Sequence, residues 1–392
     1  MAEEELKFQK YSILKINIEY YFLFIITFIL SIIGIIMVSS SSIAVGERYF
    51  NDPYWFIRRQ AIWWVVSFIM FLLFSKLNYK FYSKISIFLI LVSIGLLAAV
   101  LIPGLSPLVG NSRRWLDLFF FSVQPSEIAK LGLIIFISDS LNRRYKDKKI
   151  FKNIFWPSFV VLLIVTLLIF LEPDFGTVIV IWVVVFALFF IGNVRYPHIL
   201  GLGSMGVLVL IAYMFMEEYR RERIFAFLNR SSEAAGVNFQ VNQSLIALGS
   251  GNIIGLGIGN SIQKYSYLPE AHTDFIFAIL GEEFGMVGTV ITISLFLLLA
   301  FFGIRVCLKT QDYFGRTFAG SITCLIVFQA FINIAVVIGL IPVTGLTLPF
   351  ISSGGSSLFI CMSSAGILLN ISRQNITIAT KIGVEEDEIK EV

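Results

Sequence analysis

Ten stretches of this chain are apolar over lengths that approach or exceed a bilayer crossing, and no segment of soluble-domain length separates them. They fall near 21–39, 60–75, 85–103, 125–140, 154–171, 175–192, 198–216, 274–304, 316–341 and 346–370; roughly 20 apolar residues are needed to cross ~30 Å of hydrocarbon. Backbone that enters lipid must satisfy its own hydrogen bonds, which confines it to helices or a closed barrel. Runs this long, without strand-like alternation, predict helices. With 57% hydrophobic and only 14% charged residues, and a mean hydropathy of +0.85, the composition lies far outside that of soluble domains. The expected fold is an all-α polytopic membrane protein of about ten transmembrane helices. It forms a single domain over 1–392, with a short tail at 1–18 and an acidic tail at 374–392 that reads as a solvated end.

Lys and Arg orient such a bundle, because they are retained on the cytoplasmic side. With the N-terminus inside, 19 of the 30 basic residues lie on inner loops and tails, ten lie on outer loops, and Lys130 falls within a span. The densest inner run is Arg143-Arg-Tyr-Lys-Asp-Lys-Lys149. Both termini are therefore expected in the cytoplasm, and the long polar loop of about 217–273, between spans seven and eight, outside. The first apolar run reads as an anchor rather than a cleaved signal, since it is of span length and follows a mixed-charge tail. Cys307, Cys324 and Cys361 show no CxxC spacing and read as small core hydrophobes. No basic-aromatic stripe points to nucleic acid.

Ionisable groups near hydrocarbon are costly and need water, a partner or a task. Leu268-Pro-Glu-Ala-His-Thr-Asp-Phe275 gathers Glu270, His272 and Asp274 where the outer loop runs into a span. Asn111-Ser-Arg-Arg-Trp115 sets Arg113 and Arg114 on another outer loop, against the charge bias; guanidinium groups suit bidentate contact with phosphate oxygens. Trp115 reads equally as an interface anchor. Gln124-Pro-Ser-Glu127 has the form of a helix start. Glu127 and Lys130, three residues apart, share a helical face and can pair, either as structural glue or as the lining of a cavity.

Glu172-Pro-Asp-Phe-Gly-Thr177 reads as a tight outer turn whose acids face water at a helix N-terminus. Of Glu282 and Glu283, at least one should face the bundle interior or a wet groove. The glycines of 251–259 lack the GK[ST] of a phosphate loop and read as tight turns and close backbone packing. The stretch Pro342 to Ser357 is irregular and hydroxyl-rich, so residues such as Ser356 are placed either to bond sugar or peptide groups or to pack helices.

Taken together, these blocks resemble the SEDS family of cell-wall glycosyltransferases (RodA, FtsW, SpoVE) over nearly the whole chain. The resemblance is carried by NSRRW, QPSE-x-x-K, EPDFGT, PEAHTDFIFA-x-x-GEE-x-G, GLTLPFISSGGSSL and the closing Leu368-Leu-Asn-Ile-Ser-Arg373. Ser112-Arg-Arg-Trp115, Gln263-Lys264 and Gly345-Leu-Thr-Leu348 look more like the division branch than the elongation branch. Two positions depart from the pattern: Ser353 stands where an aromatic residue is common, and Phe119 where a glycine is frequent.

The resemblance implies polymerisation of lipid II into glycan strands at the outer face of the bacterial cytoplasmic membrane. It also implies a class B penicillin-binding protein as transpeptidase partner, within the divisome or the elongasome. The 4-hydroxyl of one disaccharide attacks the anomeric carbon of another and undecaprenyl diphosphate leaves, which calls for a base and for positive charge. Asp274 is then the expected general base, with Glu270 and His272 supporting it. Arg113, Arg114 and Lys264 would hold the diphosphate, and Glu127 with Lys130 would line the lipid groove. A divalent cation (Mg²⁺ or Mn²⁺) bridging Asp274 and the diphosphate is compatible with the chemistry, although no ligand cluster requires it. Two other classes compete. A lipid II flippase would place its key charges near the midplane and on both sides, and a scaffold that only recruits a transpeptidase needs no titratable outer cluster.

Overall fold

The computed structural model describes residues 18–107, 112–118, 121–144, 156–216, 221, 227, 237–265 and 267–390. In chain order these form α1 (Ile18–Ser41), α2 (Ile43–Phe50), α3 (Trp55–Lys76), α4 (Lys80–Lys84), α5 (Ser86–Val100), β1 (Leu116–Leu118), β2 (Phe121–Val123), α6 (Pro125–Arg144), α7 (Trp156–Leu171), α8 (Phe175–Ile191), α9 (Tyr196–Met216), α10 (Val237–Ser250), α11 (Ile276–Lys309), α12 (Tyr313–Val337) and α13 (Gly355–Lys390). Each of the ten apolar stretches contains a helix. Five helical segments are long and apolar enough to cross a membrane by themselves: α1, α3, α11, α12 and residues 355–374 of α13.

Helix α12 is central, packing on α6, α8, α11 and α13 through Phe314, Phe318, Ile322, Leu325 and Ile326, all buried. Helix α13 lies along α3, and α11 packs on α1 as well as α12. Large apolar side chains such as Ile62, Leu208 and Leu297 point outward and stay exposed, as a surface that meets lipid requires.

Polar contacts gather one set of loops at one end of the bundle. Glu19 accepts from Lys309 Nζ at 2.6 Å and pairs with Arg305 Nε at 3.0 Å. Asp139 accepts from Ser83 and Ser86 and pairs with Arg143. Tyr79 donates its backbone N–H to Asn370 Oδ1 and its hydroxyl to Asp312.

Four features differ from the sequence expectation. An antiparallel hairpin, with Leu116 opposite Val123 and Asp117 opposite Ser122, breaks the all-α reading. Phe119 lies outside the described residues, as do Asn111 and most of 217–236. The long polar loop contains a helix of its own, α10, whose mixed apolar residues pack on α11 and α12. The tenth span is helical only from Gly355, and α13 runs on through the acidic tail to Lys390, where no proline stops a sequence rich in Glu, Ile and Lys.

The fourth difference is a break within the eighth span. Gly285 adopts φ 65° and ψ −161°, a conformation open essentially to glycine alone. The break exposes carbonyls on one side and N–H groups on the other. Residues 252–257 supply their partners: Leu256 N and Gly257 N donate to the carbonyls of Glu282 and Glu283, each at 3.0 Å. Met286 N and Val287 N donate in turn to the carbonyls of Asn252 and Ile253, at 2.9 and 3.2 Å. The glycine-rich loop is thus the hydrogen-bonding complement of a broken helix, which accounts for its close packing. Replacing Gly285 with Ala forces a left-handed non-glycine residue, costing about 1–3 kcal/mol, and drives a Cβ into Gly255 N and Ile253 O. The expected outcome is a clearly lowered melting temperature in detergent, measured against wild type.

Candidate active site

The motif at 268–275 enters α11 through a turn built on Glu270, whose backbone is left-handed at φ 54°. Its carbonyl accepts from Thr273 N and Phe275 N, both at 3.2 Å, while its carboxylate accepts from Thr273 Oγ1 at 2.7 Å. Glu270 itself is exposed, so its contribution is to shape the turn. His272 packs its ring on Phe56, with centroids 4.7 Å apart. Burial pulls the His272 pKa below the ordinary imidazole value, against the opposing pull of Glu270.

Three contacts stitch this motif to the irregular stretch before α13. Asn333 on α12 donates through Nδ2 both to the Asp274 carbonyl, at 2.7 Å, and to the Leu346 carbonyl, at 2.6 Å. Ser352 Oγ donates to the Thr273 carbonyl at 2.6 Å, and Ser353 N to the His272 carbonyl at 2.9 Å. The hydroxyl of Ser356 lies between Gln124 N and the Ser122 carbonyl, 3.2 Å from each, and so ties α13 to the β2 strand.

Arg114 is brought to the same place by the turn between α7 and α8. Its Nε donates to the Glu172 carbonyl at 3.1 Å and its Nη2 to the Pro173 carbonyl. Arg113 and Trp115 are half-buried beside it. Gly345, at φ 76°, marks the convergence: a Cβ built there would stand 3.6 Å from Asp274 Oδ2 and 4.0 Å from Arg114 Nη1. A carboxylate and a guanidinium from distant parts of the sequence thus flank one point, and only a glycine leaves that point open.

Other predicted residues lie behind this pair. Glu127 and Lys130 form a buried ion pair at 2.8 Å, and Lys130 Nζ also donates to Gln329 Oε1 at 2.7 Å. Gln329 in turn donates to the Thr347 carbonyl at 3.1 Å, linking the pair to the stretch that carries Gly345. Asn333 and Gln329, four residues apart on α12, escaped the sequence reading; two amides in an otherwise apolar span were the available signal.

Two expectations are corrected. Lys264 is 3% exposed, and its ammonium is bonded to Glu283 Oε1 at 3.0 Å, Ser40 Oγ at 3.0 Å and the Gly259 carbonyl at 2.5 Å. It is therefore a buried partner of Glu283 and is withdrawn from the groups that would meet a diphosphate. Glu282 grips the same loop, accepting from Ser261 Oγ at 2.5 Å and from Ile262 N at 3.0 Å. Both glutamates are thus structural partners of 259–264. The acids of the 172–177 turn do not face water either: Glu172 is fully buried, and Asp174 is 2% exposed. Asp174 caps α8, accepting from Thr177 N at 3.2 Å and Thr177 Oγ1 at 2.8 Å.

Among the described residues, no group of three or more His, Cys, Asp or Glu side chains comes together as a metal cage. Arg114 is a cationic group placed near Asp274 across Gly345.

Comparison with known proteins agrees with this architecture. The chain is 37% identical over 343 residues to the probable peptidoglycan glycosyltransferase FtsW of Geobacter sulfurreducens, covering 88% of this chain and 92% of the relative. It is 39% identical over 351 residues to stage V sporulation protein E of Bacillus subtilis, covering 90% and 96%. A solved chain from a study of polymerisation and crosslinking by a peptidoglycan synthase complex superposes with a TM-score of 0.71 at 27% identity, covering 90% of this chain and 97% of that one. The rod shape determining protein RodA of Thermus thermophilus shares the fold, with a TM-score of 0.65 at 24% identity, covering 90% and 96%. Residues 20–377 match the cell cycle protein family of FtsW, RodA and SpoVE, and the chain is a multi-pass membrane protein of that family.

Proposed function

We propose that this protein is a peptidoglycan glycosyltransferase that polymerises lipid II into glycan strands. The observation that carries the reading is the convergence of Asp274 and Arg114 around Gly345. A carboxylate serves as general base to the 4-hydroxyl of the acceptor disaccharide, and that oxygen attacks the anomeric carbon of the donor. The glycosidic bond to phosphate breaks as the new one forms, and the electron pair leaves with undecaprenyl diphosphate. The departing oxygens gain negative charge beside Arg114, where a fixed guanidinium is worth most. Arg113, on the same segment, adds positive charge, and Glu127 with Lys130 braces the floor from behind.

The names of the relatives support the reaction class, and those of the FtsW proteins favour the division role. In the orientation that the basic loops favour, the protein sits in the bacterial cytoplasmic membrane as ten spans. Both termini are then in the cytoplasm and the Asp274 end faces out. The transpeptidase partner is a class B penicillin-binding protein, in keeping with a structural relative taken from a synthase complex.

The direct test supplies lipid II to the purified protein together with its transpeptidase and resolves the products by length. Glycan strands are the expected result. Lipid II crossing liposome membranes, with no polymer formed, would instead identify a flippase.

A further inference from the structure

The turn that presents Arg114 contains two carboxyl groups in opposite surroundings. Asp174 accepts three hydrogen bonds, from Thr177 N, Thr177 Oγ1 and, at 3.4 Å, Gln124 Nε2. It lies at the N-terminus of α8, where a negative charge is favoured. Glu172, two residues earlier, is 0% exposed, and among the described residues neither of its carboxyl oxygens has a hydrogen-bond partner. An ionised carboxylate without a hydrogen-bond donor is among the most costly groups a protein can bury. Arg114 passes this carboxyl by and bonds the backbone carbonyls of Glu172 and Pro173 instead.

We propose that Glu172 is a positioning residue that keeps its proton, so that the guanidinium of Arg114, pinned by the carbonyls of the same turn, is not neutralised from behind. Its charge then stays directed at the space around Gly345 and Asp274. A charged carboxylate at Glu172 would compete for Arg114 and draw it back from the site; the neutral acid supplies bulk and shape without charge. What Arg114 faces on its open side rests on the glycosyltransferase reading, whereas the retained proton does not.

Among the described residues, the charged groups acting on Glu172 are Asp174, which repels its ionised form, and Arg114, which attracts it. The stretch Pro342 to Leu346, which covers Gly176 in the same turn, adds no titratable side chain. Burial is the largest influence, Asp174 acts with it and Arg114 opposes both, and the Glu172 pKa is pushed up to about 9 from its ordinary 4.5. Between those two values the folded protein holds a proton that the unfolded chain has released, so raising the pH favours unfolding.

The test compares wild type with Glu172→Gln, whose amide has the shape of the protonated acid and cannot ionise. In detergent, the wild-type melting temperature should fall as the pH rises from about 6 to about 9, and that of Glu172→Gln should change less. Wild-type polymerising activity should fall by half where Glu172 is half ionised, at about 9, and this alkaline limb should be absent from Glu172→Gln. Identical pH slopes in melting for the two proteins would overturn the proposal. So would a drop of about ten-fold or more in the neutral-pH activity of a normally melting Glu172→Gln, because that result would require the charge. If Glu172→Gln fails to fold, Glu172→Met carries the same melting comparison. The melting readout is independent of catalysis, so loss of the glycosyltransferase reading would leave it standing.

Discussion

Asp274→Asn should lower lipid II polymerisation by about 10²- to 10⁴-fold, the range that a positioned general base contributes. The substitution is nearly isosteric and leaves the backbone contacts of the turn in place. Asn333 binds the backbone carbonyl of Asp274, and the turn on Glu270 is held by backbone bonds and Thr273, so neither depends on the Asp274 carboxylate. The melting temperature should therefore stay near that of wild type, and the KM for lipid II should move far less than kcat. Loss of the base affects the transition state in which the hydroxyl proton moves, with the substrate already bound. Polymerisation at the wild-type rate by a folded Asp274→Asn protein would remove Asp274 from the role of base.

Breaking the buried pair of Lys264 and Glu283 should produce the largest change in stability. Lys264→Met leaves the Glu283 carboxyl 1% exposed and bonded, among the described residues, to Ser40 Oγ and Ser261 N, with its second oxygen without a partner there. Removing one member of such a pair costs about 3–5 kcal/mol, because the survivor is stranded in a medium that cannot solvate it. Thermal unfolding in detergent measures the loss. Adding Glu283→Gln to Lys264→Met should recover much of it, since a neutral pair avoids the stranded charge. If Lys264→Met melts like wild type, the ammonium is not the counter-ion of Glu283.

Lys264 also shows where reading along the chain stops being sufficient. Its charge, its place on the long polar loop and the two acids at 282 and 283 were all visible in the sequence. What joins them is a contact that also recruits Ser40 from α1, and no local spacing encodes a partner so remote in the chain. The apolar helices, by contrast, were legible because hydropathy is a property of each segment alone. Glu127 with Lys130 was legible for a related reason, the pair being written into one helical face.

The hairpin of 116–123 and the break at Gly285 were not legible. The first is too short to show a period, and the second hides among the other glycines of an apolar run. The convergence of Asp274 and Arg114 required the irregular stretch around Gly345 to fold between them, and the sequence offered its two halves only as separate charged motifs. The acids of the 172–177 turn were misjudged because a loop position was equated with contact to water, whereas the neighbouring elements close over it.

The broken helix also has a consequence for the order in which the protein is made. The half of α11 that ends at Gly285 carries two carboxylates and, at the break, backbone groups that no continuous helix satisfies, so it is poorly suited to enter a membrane alone. Its partners at 252–264 precede it in the chain and leave the ribosome first. The complement is therefore already synthesised when the gap emerges, and the eighth span can be settled as a loop and helix together. A rearranged chain in which 251–264 followed 276–309 would present the gap before its complement and lose that sequence of events.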